Sequence, residues 1–578
     1  MFLKNITGSQ IIYNKLIKNN VKDVFLYTGG AIMSLVDEFH KTNKINYYIN
    51  THEQSSGHAA TGYAKSTGKP GICIMTSGPG VTNSVTALTD ATNDSTPLIL
   101  LTGNVSLNNI GTNAFQECPA TDITKPITKW SYLVDSVCDL SDVIDEAFRV
   151  STSGKPGSVH IDIPKCVLNN KYNYEFYNKK QFNNIILKPK KINKNKLKEI
   201  ENLISIAKKP ILLIGQGCNN YSTELRNFSI KSNIPVTTTI HAMGVFDETL
   251  SLSLEFLGMH GNIAANYAIQ ESDLIIALGT RFDDRITGSL DKYAPNAFQA
   301  FKENRGGIVH VNINDKEINK IIKSHYNFHA DCGEFLNKIK PVYKKRQSWI
   351  NQINNWKNNN KFTYKKINKL KTQEVISNIN IHLLKKNNYI ITSGVGNHQM
   401  MASQFIKWRY PKSFISSGSL GVMGVGLPYA IGCQIANPDK LVIDIDGDGS
   451  FNHTSSELKT VNDYNLPIKI AIMNDGHFSM VRTWEKLFFN GRYTATNLGS
   501  NPDYVKLAEA YSIKGISCDK REDLDNKIKE FLEYPGPILC EFKVESDECF
   551  PLVKPGCALD DITTNSDIIN NDDCIAPN

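Results

Sequence analysis

Two short acidic segments stand 27 positions apart in the C-terminal third of the chain, at Asp448 in Asp446-Gly447-Asp448-Gly449-Ser450 and at Asp475 in Met473-Asn474-Asp475-Gly476-His477. Each closes an apolar run of strand character, 441–445 and 468–473. Carboxylate and carbonyl oxygens suit magnesium, a hard cation usually shared with a phosphate. Glycines at 447 and 449 allow tight turns whose amides can face an anion. A diphosphate held through a divalent cation is the natural occupant, although a lone Gly-Asp-Gly is equally an ordinary strand-to-helix turn.

Other segments invite chemistry on the same terms. The stretch 417–428 is dense in glycine, which permits either close approach of backbone to a ligand or a loop entering a packed helix. Val395-Gly396-Asn397-His398 follows a strand run at 389–392, and Glu53, in Thr51-His52-Glu53-Gln54, follows the run 45–49 and precedes a helix-compatible stretch at 57–67. A Glu so placed is by type alone a solvated surface residue. Arg281 and Arg285 flank Phe282-Asp283-Asp284, a pattern compatible with bidentate carboxylate recognition or with structural ion pairs. Trp484, in Met480-Val481-Arg482-Thr483-Trp484-Glu485, is by type a core residue.

Strung together in this order, the segments resemble the thiamine-diphosphate enzymes, and within them the acetohydroxyacid (acetolactate) synthases; the resemblance covers roughly 5–563. Gly447-Asp448-Gly449 with Asn474-Asp475 resembles the family's Gly-Asp-Gly then Asn-Asn signature. His52-Glu53-Gln54, Gly57-His58-Ala59-Ala60 and Thr76-Ser77-Gly78-Pro79-Gly80 resemble its pyrimidine-domain motifs.

The resemblance implies roles residue by residue. Glu53 would bond the aminopyrimidine ring, with Pro79 nearby; Gly421 and Met423 would lie under the bent cofactor. Val395, Gly396, Asn397, His398, Gly447, Gly449, Ser450 and Met480 would contact it further along. Magnesium would take Asp448, the Asp475 side chain and the His477 carbonyl. FAD, without redox work, would meet Lys155, Gly215, Gly217, Met259, His260, Arg281, Asp283, Arg285 and Asp331. Gln116 and Lys165 are the implied contributors near the substrate channel, Arg285 would pair with the acceptor's carboxylate, and Trp484 would narrow the acceptor pocket. The implied activity is decarboxylation of pyruvate and transfer of the hydroxyethyl group to pyruvate or 2-ketobutyrate, giving 2-acetolactate or 2-aceto-2-hydroxybutyrate, the first common step of branched-chain amino acid biosynthesis.

The sequence departs from the family pattern at Asp475 and Asn397, which stand for Asn and Gln. It departs again in the flavin segments Gly215-Gln216-Gly217, His241-Ala242-Met243-Gly244 and Asn312-Ile313-Asn314. Two rivals therefore stay open: a flavin-free acetolactate synthase or 2-keto acid decarboxylase, and a non-catalytic homologue acting as a binding protein. The implied assembly is a homodimer or homotetramer, the pyrimidine half of each site coming from one chain and the diphosphate half from another, with a small regulatory subunit as a candidate partner.

The elements that must position these residues follow from length and rhythm. A chain of 578 residues divides into about three or four domains. Strand-like runs at 24–27, 71–76, 98–102 and 159–163 alternate with helical stretches; the pattern resumes at 211–214, 273–279 and 308–313, and again at 389–392, 441–445, 468–473 and 538–542. The expectation is α/β: three tandem doubly wound domains with parallel sheets, a pyrimidine domain at 1–170, a central Rossmann-like FAD-associated domain at 190–345, a diphosphate domain at 370–550 and a tail at 551–578. A Lys/Asn-rich stretch at 169–198 interrupts the pattern, its lysine cluster at 188–198 reading as a solvated linker, and another polar stretch at 347–371 precedes the third series. The net charge of +7 is spread along the chain without aromatic interleaving, which argues against a nucleic-acid surface. Twelve cysteines without a Cys-x-x-Cys pair point to a reducing compartment. No leader and no apolar run of about 20 residues is visible, so a cytoplasmic location away from membranes is expected.

Overall fold

The computed structural model describes residues 5–172, 180–182, 184, 189–364 and 367–564. Part of the lysine cluster at 188–198 and the second half of the C-terminal tail, 565–578, lie outside these residues.

Among the described residues three parallel sheets organise the chain. Numbered within their own sheet in chain order, the six strands of the N-terminal domain, Asp23–Leu26 to Ser158–Pro164, lie in the order 2-1-3-4-6-5. The six principal strands of the C-terminal domain, Tyr389–Ser393 to Ile538–Glu545, repeat that order, with the short strand Leu370–Lys371 added beside the last. The central strands, Pro210–Ile214 to Tyr326–His329, lie in the Rossmann order 3-2-1-4-5-6. In all three sheets the chain reverses direction beside the first strand, which opens a crevice at the carboxyl ends where ligands bind. Strands such as Gly71–Met75, Pro210–Ile214 and Leu274–Leu278 are fully buried, as parallel strands between helix layers must be, and this is why they read as continuous apolar runs.

Short or half-polar strands give no such run in the sequence: Trp130–Leu133, Val236–Thr238, Ser253–Phe256 and Lys514–Cys518. The polar stretch at 347–371 is structured over its first half. It carries an amphipathic helix, Gln347–Asn359, whose Trp349 and Ile353 are buried on the central core, with the Trp349 indole N–H donating to Pro210 O at 3.1 Å.

The outer domains are pressed together by the helices Glu53–Thr67 and Gly426–Ala436. Their facing surfaces are built from small residues because the backbones nearly touch: a Cβ on Gly432 would lie 1.8 Å from Ala59 O, and one on Gly62 would lie 2.5 Å from Tyr429 O. This contact fixes where Glu53, at one helix start, stands relative to the glycine-dense segment that leads into the other. Among the described residues no helix is long and apolar enough to cross a membrane.

Candidate active site

The diphosphate end sits at the crevice between Tyr389–Ser393 and Leu441–Gly447, which pair in parallel. Val395 and Gly396 are half-buried, and Asn397 and His398 begin the helix Asn397–Phe405. The His398 ring is seated against Gly447, where a Cβ would lie 2.6 Å from its Nδ1, and its Nε2 is 3.1 Å from Asp446 Oδ1. Glycine at 447 is thus needed for the histidine. Asn397 donates to Asp547 O at 2.7 Å while its Oδ1 is buried without a partner. Behind them Asp444 is pushed well above the usual carboxylate range by burial and then by Asp446.

Asp448 opens a single helical turn, Asp448–Phe451, and Asp475 follows the strand Lys469–Asn474. Asp448 Oδ2 accepts from Gly476 N at 3.0 Å and from Asn501 Nδ2 at 2.6 Å. Asp475 accepts from His477 N at 2.9 Å and from the Ser479 hydroxyl. Burial, with Asp475 as the next cause, raises the Asp448 carboxyl to about 6, and burial also raises Asp475. Two crowded, desolvated carboxylates of this kind are stabilised in their charged form by a cation. Among the described residues no third His, Cys, Asp or Glu side chain completes a metal cluster, so the remaining ligands must be carbonyl or ligand oxygens. The Ser450 hydroxyl accepts from Gly424 N at 2.9 Å, tying the two glycine-bearing loops together.

Within the glycine-dense segment Gly421 has φ +71, and a Cβ added to it would meet nothing within 4 Å; Gly424 has φ +78, and a Cβ there would lie 2.6 Å from His453 Cβ. Gly421 is therefore open to a ligand, while Gly424 is closed by packing. Met423 is half-buried between them. Met480 is half-buried on the helix Ser479–Phe488.

At the pyrimidine end, Glu53 is the first residue of its helix, 8% exposed, and its Oε2 accepts from Asn83 Nδ2 at 3.0 Å. Nearby His58 is fully buried and stays neutral, its pKa lowered to about 3 by burial. Thr76 Oγ1, Ser56 Oγ and His58 Nδ1 are buried without partners. Pro79 is exposed at the first position of the turn Pro79–Thr82. Gln116 holds φ +62, a left-handed conformation that costs a non-glycine residue about 1 kcal/mol or more, and its carbonyl would lie 2.9 Å from a Cβ on Gly78. Lys165 is exposed at the start of the helix Lys165–Asn169. No hydrogen bond or ion pair joins Glu53 to Met423, Asp448 or Asp475 among the described residues.

In the central domain Gly215 and Gly217 pack against Gly279, a Cβ on Gly215 falling 2.2 Å from Gly279 O. Arg281 does not reach into open space: it donates to Asn93 O and Ser419 Oγ, each at 2.8 Å. Asp331 caps the helix Cys332–Lys338 and accepts from Tyr221 Oη at 3.0 Å, and Lys155 faces Glu317 at 3.7 Å. Around the same crevice Thr238 Oγ1, Thr280 Oγ1 and Asn219 Oδ1 are buried without partners.

One face brings Arg285, Met259 and Trp484 together. Arg285 Nη1 lies 3.6 Å from Met259 Sδ, and Met259 and Trp484 pack on one apolar cluster, Leu487, Phe488, Phe550 and Leu552. His260 is buried, its pKa lowered to about 4 by that burial, with Nδ1 3.3 Å from Pro551 O. Asp283 is partly exposed, 3.5 Å from Arg281.

Several residues that position this site carry no motif of their own in the sequence. Glu457 accepts from Asn50 Nδ2 at 2.9 Å and from Thr51 N at 3.0 Å, gripping the turn that carries Glu53. Asp90 accepts from Ser417 Oγ at 2.5 Å, and Ser417 Oγ in turn accepts from the amides of Gly421 and Val422. Neither stands out locally: Glu457 ends the polar turn Ser455–Glu457, and Asp90 sits in the threonine-rich helix Val85–Asn93.

Fold and site define a thiamine pyrophosphate enzyme, and models of that family's N-terminal binding, central and C-terminal binding domains match residues 6–124, 197–339 and 394–542. The chain is 42% identical to the mitochondrial acetolactate synthase catalytic subunit of Saccharomyces cerevisiae, over 96% of this chain and 83% of that protein. It is 40% identical to the acetolactate synthase large subunit of Cyanidium caldarium over 95% of each, and 38% identical to the chloroplastic acetolactate synthase of Arabidopsis thaliana over 97% of this chain and 85% of that one. The chain belongs to the acetolactate synthase family.

Proposed function

We propose that this enzyme joins two 2-keto acids, decarboxylating pyruvate and transferring the resulting hydroxyethyl group to pyruvate or 2-ketobutyrate. The observation that carries the reading is the assembly of Arg285, Met259 and Trp484 on one face, since a simple decarboxylase has no second keto acid to orient. When bound, thiamine diphosphate supplies the nucleophilic carbon and electron sink that such chemistry needs. The residues fit it at Gly421, where φ is +71 and an added Cβ would meet nothing within 4 Å, leaving open space where backbone must approach.

Glu53 would hold a proton at a ring nitrogen. Its Oε1 is the atom for this, because Oε2 is engaged by Asn83. Asp448 and Asp475, with the His477 carbonyl, would hold magnesium against the diphosphate, and the cation would offset the burial and then the Asp475 repulsion that raise Asp448. FAD would lie at the central crevice, where Thr238, Thr280 and Asn219 carry unpaired buried oxygens. Arg281, engaged with Asn93 and Ser419, would there contribute to the domain junction as well as to the flavin. Arg285 would orient the acceptor carboxylate in a planar, bidentate manner, and Trp484 would limit the acceptor's width.

The test is purified protein with magnesium, thiamine diphosphate, FAD and pyruvate, followed for acetolactate against acetaldehyde. Acetolactate as the main product is expected; acetaldehyde alone would leave only a decarboxylase, and omission of FAD without loss of activity would remove the flavin.

A further inference from the structure

A small cavity of about 80 Å³ lies between the central domain and the C-terminal tail, and Met259, Arg285, Val553, Lys554 and Pro555 line it. It is a built feature. The tail is sewn to the central domain on both sides of Lys554: Val553 N donates to Met259 O at 2.8 Å, and Ser289 N donates to Cys557 O at 2.8 Å. Gly288 makes the second tie feasible, since its φ is +59 and a Cβ there would lie 2.7 Å from Cys557 O. The short antiparallel pair of Leu552–Val553 with Ile562–Thr563 holds the tail in register. Lys554 and Arg285 are thereby brought to the wall of one cavity.

The charge balance of this cavity calls for an anion. Arg285 faces Asp284 at 3.5 Å, but both side chains are more than half exposed, so that pair contributes little. Lys554 makes no ion pair among the described residues. The lining therefore carries two cations against one carboxylate, while Met259, Val553 and Pro555 supply apolar walls. A cavity this small excludes a nucleotide or a peptide. Its chemistry matches a monocarboxylate carrying one short alkyl group.

We propose that Lys554 is a second acceptor-binding residue, gripping together with Arg285 the carboxylate of the acceptor keto acid, with Met259 and Pro555 limiting its alkyl group. This rests on the carboligase reading above. An ammonium and a guanidinium on one carboxylate divide the work: the guanidinium sets the plane, and the ammonium, a point charge on a flexible stem, adds attraction without fixing orientation. Loss of Lys554 thus weakens capture of the acceptor more than it disturbs alignment.

The experiment uses the full-length, cofactor-loaded enzyme with saturating pyruvate and varied 2-ketobutyrate, comparing wild type, Lys554→Gln and Lys554→Arg. One lost charge-assisted bond corresponds to about a tenfold rise in the acceptor KM. The rise is expected in KM and not in kcat, with Lys554→Arg restoring most of it. Calorimetric titration of 2-ketobutyrate into protein without thiamine diphosphate gives a readout independent of turnover, and there Lys554→Gln should weaken binding by a similar factor. Unchanged KM and unchanged binding in Lys554→Gln would overturn the proposal while acetolactate formation by wild type upholds the carboligase reading. Lys554-dependent binding in a protein that forms no acetolactate would overturn that reading and leave the anion site standing.

Discussion

His241 Nε2 lies 3.3 Å from Asp94 Oδ2, so that a central-domain histidine touches a fully buried carboxylate of the N-terminal domain. The same carboxylate takes Lys65 Nζ at 2.7 Å and the amides of Gly418 and Ser419 at 3.1 and 2.9 Å. All three domains thus meet at one side chain, at the root of the segment that carries Gly421 and Met423. Burial would by itself raise this carboxyl, yet Lys65 and then His241 hold it well below the usual carboxylate range. His241, one of the departures in the flavin segments, therefore has its own physical reason: Gly418 makes room for its ring, a Cβ there falling 2.1 Å from Nε2.

Removing Lys65 leaves Asp94 buried with its charge under-compensated. Lys65→Met is expected to destabilise the protein by about 3–5 kcal/mol, as stripping one partner from a buried pair does. Lys65→Met with Asp94→Asn should recover part of that loss. Urea denaturation of the two single variants and the double variant checks this, and additive losses would show that the two residues are not coupled.

Asp162 provides a pH dependence remote from the metal ligands. Burial raises its carboxyl to about 7, against hydrogen bonds from Thr102 and Asn104 that lower it. The folded state therefore binds a proton more tightly than the unfolded chain does. The associated stability is present below the unfolded value of about 3.9 and is lost as pH rises through about 7. Thermal melting between pH 5 and 8 should fall with rising pH, and Asp162→Asn should flatten that slope. An unchanged slope in the variant would assign the dependence elsewhere.

At the proposed metal site, Asp475→Asn removes one of two desolvated negative charges. Manganese binding in the presence of thiamine diphosphate, read by electron paramagnetic resonance, should weaken on the order of tenfold and persist. Affinity in the wild type should also decline as pH falls through about 6, where a proton competes at Asp448. Equal affinity in variant and wild type would place Asp475 outside the coordination sphere.

What is legible in the sequence is what period and strand-end position can encode. Fully buried strands such as Pro210–Ile214 and Leu274–Leu278 are unbroken apolar runs, and Glu53, Asp448 and Asp475 all stand just past strand ends. Trp130–Leu133, half-buried along its length, offers no such run. Interdomain ties leave no local trace, because the Thr51 to Glu457 bond spans 406 residues and the Arg281 to Asn93 bond spans 188. For this reason nothing in the sequence around Arg281 points to its bonds with Asn93 O and Ser419 Oγ, which tie the N-terminal and C-terminal domains through its guanidinium.

The Glu53 and Glu457 carboxylates separate chemistry from positioning within one turn of chain. Glu457 is fully buried, and it takes Asn50, Thr51 and Thr460 as donors, so its work is to hold the turn 50–52 against the C-terminal domain. Glu53 keeps one oxygen free of protein partners. Glu53→Gln preserves shape and the Asn83 contact but removes the proton-holding group, so acetolactate formation should fall by about 10²–10⁴-fold with melting temperature nearly unchanged. Glu457→Gln should do the converse. It loses charge-assisted acceptance at a buried site, costing about 1–3 kcal/mol in stability, while turnover of the folded fraction falls far less. Melting curves and turnover on the same preparations read both effects. A Glu53→Gln enzyme with near-wild-type turnover would remove Glu53 from the chemistry and leave the turn a structural joint.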